Sequence, residues 1–92
     1  MLEIKTLKKI DAISAPKLDA ELKNAIEGGE LEIFVDMADT TYISSVGLRA
    51  FANAQKKMNK LGGSMVLRNV QLCIREIFEV TGFGGVLTIE EG

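Results

Sequence analysis

Histidine is absent from the chain and cysteine occurs once. Without an imidazole, the usual zinc sites and the Ser-His and Cys-His pairs of nucleophilic catalysis are unavailable. The single thiol, Cys73, cannot close an internal disulfide. A surplus of basic charge is also missing: 11 Lys and Arg stand against 13 Asp and Glu, a net charge of -2, so no face of the kind that binds nucleic acid is implied. Long apolar runs are lacking too. Nothing approaches the length of a membrane span, and the opening MLEIKTLKKID has no apolar signal-peptide core, which places the chain in the cytoplasm. With 92 residues there is room for one core and one domain, 1–92, but not for a deep enclosed active site.

What is present is a regular alternation of strand and helix patterns. Leu2 to Leu7 alternates, with Leu2, Ile4 and Thr6 on one side and Glu3 and Lys5 on the other, as a strand with one half-exposed face does. DAISAP then supplies a turn, with Ser14 as the expected N-cap and Pro16 in the first turn of a helix. Ala15, Leu18, Leu22, Ala25 and Ile26 make the apolar stripe of that helix, and Gly28-Gly29 ends it. Leu31 to Met37 reads as a strand buried on both faces. A second helix is predicted from Ser45 to Leu61, with Leu48, Phe51, Ala52, Gln55 and Met58 inward, Lys56, Lys57 and Lys60 near its C-terminal end, and Gly62-Gly63 after it. Met65 to Leu67 is a short strand. Asn69 is the expected cap of a third helix, Val70 to Val80, whose apolar face carries Val70, Cys73, Ile74, Ile77 and Phe78; Cys73 at that spacing reads as a buried structural thiol. Glycines 82, 84 and 85 break the chain before a last strand, Val86 to Ile89.

The expected fold is therefore α/β, four mainly parallel strands alternating with three helices in right-handed β-α units. The glycine clusters each follow a helix, and none precedes Lys-Ser or Lys-Thr, so they serve as helix ends and not as phosphate loops.

Function is sought in the loop between the second long strand and the second helix, which opens on Ser44 and Ser45. One reading makes the two serines the cap and first turn, a contribution of roughly 1 kcal/mol. The other makes the helix start a place for phosphate, because free N-H groups and the dipole stabilise added negative charge there by roughly 0.3 to 2 kcal/mol. A partner surface that accepts a neutral Ser45 would reject a group of about -1.5 to -2 charges, the more so with Asp36 and Asp39 in the same loop region. Asp11 and Asp36 fall at strand ends on the same edge. Two carboxylates near a hydroxyl suggest acid-base chemistry, but neither Ser45 nor Ser44 has an activating base, so turn formation and partner contact are the roles expected of them. Arg49, Lys56, Lys57 and Lys60 read as a solvated helix face.

Val35-Asp36 and Tyr42-Ile43-Ser44-Ser45-Val46-Gly47-Leu48-Arg49 resemble the signature of the STAS domain, as in bacterial anti-sigma factor antagonists. Lys9-Ile10-Asp11-Ala12 with Ala15-Pro16 and Leu18, and Asn69 to Gly82 followed by Phe83, resemble two further segments of that family, so about four fifths of the chain is covered. The resemblance implies a non-enzymatic, cofactor-free and metal-free regulator. Its unphosphorylated form would bind an anti-sigma factor that is also a serine kinase, and phosphorylation would switch it off. The family's Asp-Ser-Ser-Gly falls on Ser44, Ser45, Val46 and Gly47, so Ser45 takes the phosphorylated position and Ser44, where aspartate is common, is a second candidate. Partner contact is implied for Asp11, Asp36, Asp39, Ser44, Ser45, Val46, Gly47 and Arg49. By the same comparison the family's first strand and last helix are not found in these 92 residues, which would leave an open edge and an apolar surface inviting a homodimer or a partner. An unphosphorylated STAS adaptor or scaffold subunit is the alternative.

Overall fold

The computed structural model describes residues 2–90. Its strands are β1 (Leu2–Lys5), β2 (Lys9–Ile10), β3 (Glu32–Asp36), β4 (Tyr42–Ile43) and β5 (Ser64–Arg68), and its helices are α1 (Ala15–Glu27), α2 (Ser45–Lys60) and α3 (Leu72–Thr81), followed by a 3-10 turn, Phe83–Gly85. β1, β3 and β5 form one parallel sheet in that order, with Ile4 beside Val35 and Val35 beside Leu67. Stepping in one direction by right-handed crossovers puts α1 and α2 on the same face of the sheet. Burial agrees: Ile4, Ile33, Val35, Met65 and Leu67 are buried together with Leu18 and Leu22 of α1 and Leu48, Phe51 and Met58 of α2.

The opposite sheet face differs from expectation. The strand predicted to be buried on both sides is buried on one, and Phe34 and Val66 on the other are only half-buried. Arg68 lies over the Phe34 ring at 3.7 Å and reaches Glu90 at 2.7 Å, so a guanidinium covers what a helix does not.

Two short strands went unread. β2 and β4 pair in parallel, Lys9 beside Tyr42 and Ile10 beside Ile43, as a separate two-stranded ladder. Neither has the length that makes a period visible. The last predicted strand, Val86 to Ile89, is reduced to one bridge, Ile89 beside Leu67, because the 3-10 turn takes up the chain before it. The strands are thus five with an added bridge, in place of four.

Helix ends also moved. The Ser14 side chain does not cap α1; its Oγ accepts from the Asp11 N-H and donates to the Lys9 carbonyl, while Asp11 Oδ1 accepts from the N-H groups of Ile13 and Ser14. Ser14 thus holds the N-cap position as expected, while the Asp11 carboxylate fixes the turn that leads into the helix. Helix α3 starts at Leu72 after Gln71, not after Asn69, since Asn69 takes a left-handed φ of 55° and turns its amide to Asp36. Ile74 and Phe78 fill the core as predicted, but Cys73, one residue and so about 100° round the helix from Ile74, lies outside that stripe and is exposed instead of buried.

Candidate functional site

The start of α2 is built by three segments. Ser44 is extended, with φ -86° and ψ 169°, and its N-H donates to the Ile10 carbonyl at 2.8 Å, which continues the β2–β4 ladder and lays Asp11 alongside the serine pair. Its Oγ accepts from the Gly47 N-H at 3.3 Å, so Ser44 is the cap. Ser45 is the first helical residue and is exposed; among the described residues its hydroxyl makes no hydrogen bond. The geometry thus separates two serines that the sequence leaves equivalent. One hydroxyl is occupied within the fold and the other faces outward.

Gly47 fixes how close this helix start lies to the ladder. A β-carbon there would meet Ile10 Cγ2 at 2.7 Å and Ile43 Cγ1 at 2.9 Å, both on buried side chains. We expect Gly47→Ala to cost about 1–3 kcal/mol in urea unfolding through forced displacement, despite the better helix propensity of alanine. An unchanged midpoint would show that the isoleucines yield freely.

Asp36 and Asp39 belong to a second cluster beside the first. Asp36 Oδ1 accepts from Asn69 Nδ2 at 3.1 Å and from the Ala38 N-H at 3.0 Å, and Gln71 Nε2 donates to the Ala38 carbonyl at 2.7 Å. Asp39 pairs with Lys5 at 3.3 Å in the open, where a pair of this kind adds little. Asp36 bonds to this loop clamp and Asp39 to Lys5, and neither carboxylate bonds to a serine. Beneath it the sequence reading missed a buried hydroxyl pair: Thr6 Oγ1 and Thr40 Oγ1 share a hydrogen bond, and Thr40 donates to the Leu7 carbonyl at 2.7 Å. Thr40 is fully buried and pins the loop 37–41 to the β1–β2 connection. Its sole sequence signal is a threonine in a polar loop. Val46 and Arg49 lie exposed on the first turn and the next turn of α2.

The acidic groups carry a pH signature. Hydrogen bonds from the Ser14 and Ile13 N-H groups hold the Asp11 carboxyl below its ordinary 3.8, and the Asn69 amide with the Ala38 N-H does the same for Asp36. The unfolded chain then takes up protons first as pH falls. Stability from these groups is complete above 3.8 and is lost as pH drops through the lower folded values. Asp36→Asn, which keeps the acceptor oxygen but not the charge, should be less stable than the wild type at neutral pH and show a flatter acid-unfolding limb by circular dichroism. An identical limb would remove Asp36 from the account.

Among the described residues no three His, Cys, Asp or Glu side chains are grouped to hold a metal ion, and no helix is long and apolar enough to cross a membrane.

Residues 2–91 match the STAS domain family. The chain is 31% identical over 80 residues to BtrV of Bordetella bronchiseptica, an anti-sigma factor antagonist by name, covering 87% of this chain and 69% of that protein. It is 27% identical over 90 residues to the anti-sigma-B factor antagonist of Staphylococcus aureus, covering 98% and 83%. The fold matches SpoIIAA in its unphosphorylated form with a TM-score of 0.81 at 17% identity, over 97% of this chain and 78% of that one. It matches the phosphorylated form of Bacillus SpoIIAA with a TM-score of 0.74 at 17% identity, over 97% and 81%. With its strand order, its serine pair at the start of α2 and this match across nearly its whole length, the chain belongs to the STAS domain family.

Proposed function

We propose that this protein is an anti-sigma factor antagonist: it binds an anti-sigma factor with serine-kinase activity while Ser45 is unmodified, and phosphorylation of Ser45 ends that binding. The observation that carries the reading is the division of labour at the start of α2, where Ser44 caps the helix and Ser45 presents a free, exposed hydroxyl. The Ser44 hydroxyl is engaged within the fold and half-buried, whereas that of Ser45 is exposed and unbonded, which makes Ser45 the acceptor in this reading. The names of the relatives support the same role, and SpoIIAA, whose fold this chain shares, has been solved with and without phosphate.

The protein itself supplies no catalysis. Its surface for the partner comprises Ser45, Val46 and Arg49 on the helix, Asp11 beside them and the clamp bearing Asp36 and Asp39. Its place of action is the cytoplasm, where sigma factors act.

The test is capture from a lysate of the native cell with the wild type and Ser45→Asp as baits, read by mass spectrometry. An ATP-binding serine kinase or anti-sigma factor retained by the wild type and lost by Ser45→Asp supports the proposal. Equal retention of some other protein by both would replace it with the adaptor reading.

A further inference from the structure

We infer that Arg49 is an internal receptor for the phosphate on Ser45, so that modification both adds charge and withdraws a cation from the partner-facing surface. The inference rests on the phosphorylation of Ser45 proposed above and concerns what that phosphate does once attached.

Ser45 and Arg49 are four residues apart on α2 and both are exposed, which places them one above the other on the same side of the helix, with β-carbons about 5–6 Å apart. An anion N-terminal to a cation at this spacing is the favourable orientation. The guanidinium is the side chain best shaped to meet a phosphate, through two parallel N-H bonds. What decides the matter is that Arg49 is uncommitted. Among the described residues it forms no ion pair and no side-chain hydrogen bond. The acidic group nearest in the shallow groove that Arg49 lines with Pro16, Val46 and Asn53 is Asp19, and Asp19 pairs with Lys23 of its own helix at 3.1 Å. The other basic residues of α2, Lys56, Lys57 and Lys60, lie two or more turns further along and cannot reach residue 45.

Two consequences follow. The phosphate folds back along the helix, satisfied by the guanidinium and by the free N-H groups of the first turn. Arg49, free to meet an acidic group of the partner in the unmodified protein, is then engaged within the chain.

The test uses the full chain with phosphoserine incorporated at position 45 during synthesis, so that it does not depend on any kinase. Phosphorus NMR titration reads the second ionisation of the phosphate in that chain and in the same chain carrying Arg49→Gln, Arg49→Lys or Lys56→Gln. A guanidinium at this distance favours the dianion, so the wild type should titrate about 0.5–1 pH unit below Arg49→Gln, with Arg49→Lys between them and Lys56→Gln equal to the wild type. Coincident curves for the wild type and Arg49→Gln would overturn the inference, as would an equal shift in Lys56→Gln, which would mark a general charge effect. Mapping of phosphosites in the native cell that found Ser45 never modified would instead defeat the proposed switch, leaving this titration unaffected.

Discussion

Phosphorylation of Ser45 is expected to weaken capture of the partner about a thousandfold, a loss of about 4 kcal/mol, while the melting temperature of the isolated protein stays within a few degrees. The two halves of that expectation have one cause. At the N-terminal end of α2 a dianion meets unpaired N-H groups and the positive end of the helix dipole, so the folded state tolerates it. Against a docked partner the same group must be stripped of water or must face carboxylates already present at Asp11, Asp36 and Asp39, and Arg49, once drawn to the phosphate, no longer meets the partner. Ser45→Asp carries one charge and fewer acceptor oxygens, so its loss should be smaller, about thirty- to a hundredfold. Ser45→Ala, whose shape is close to that of the native residue and whose hydroxyl makes no internal bond, should bind within about threefold of the wild type. Calorimetric titration against the captured partner measures all three. A fall in melting temperature that accompanied the loss of affinity would mean that the phosphate unfolds the helix start, and the switch would be a stability effect.

The parts of this fold legible in the sequence are those in which one period persists for two turns of helix or one long strand. Leu18, Leu22 and Ile26, and Leu48, Phe51 and Met58, announce their helices because apolar residues recur at helical spacing over several turns, and the structure buries all six. What escaped depends on contacts distant in sequence. The pairing of Lys9-Ile10 with Tyr42-Ile43 spans more than thirty residues and is two residues long, so its evidence lies in the partner and not in the segment. Asn69 was misread as a cap because asparagine favours both caps and left-handed turns, and the Asp36 carboxylate chose the latter. Cys73 was counted into the apolar face of α3 because a thiol is apolar, yet it sits at the rim of the stripe that Ile74 and Phe78 bury, and there it is exposed.

The candidate site was legible in position but not in roles. A serine pair before a helical period marks a helix start from sequence alone. Which serine caps and which faces outward is set by the hydrogen bond from Ser44 N-H to Ile10, which fixes Ser44 as the last extended residue, and that bond belongs to the unread ladder. Asp11 has a similar history. It was placed near the site by its position after a strand, and it is held there by its bonds to the Ile13 and Ser14 N-H groups in the turn before α1, so its charge is available at the surface.

The second large effect lies in the core. Phe51→Ala should cost about 3–5 kcal/mol, because the ring is fully buried in the middle of α2 and its removal leaves a cavity that the close-packed sheet beneath cannot collapse into. For a chain of this length the total stability is on the order of 5–14 kcal/mol, so the variant forfeits a large part of it. Chemical denaturation should show a urea midpoint lowered by about 2 M with an unchanged slope, and melting should fall by about 15 °C or more. Val46→Ala, at an exposed position on the same helix, should move either quantity by no more than about 0.5 kcal/mol equivalent. The comparison also separates two ways of losing function. Phe51 anchors the helix whose first turn carries Ser45, yet it is remote from the partner, so its loss should reduce binding only in proportion to the population unfolded and should be rescued by cooling toward the temperature of maximum stability. Ser45→Asp should stay fully folded and bind poorly at every temperature. If Phe51→Ala instead bound poorly while fully folded, the start of α2 would be shown to depend on core packing for its orientation, and the seat made by Gly47, Ile10 and Ile43 would not be sufficient to hold it.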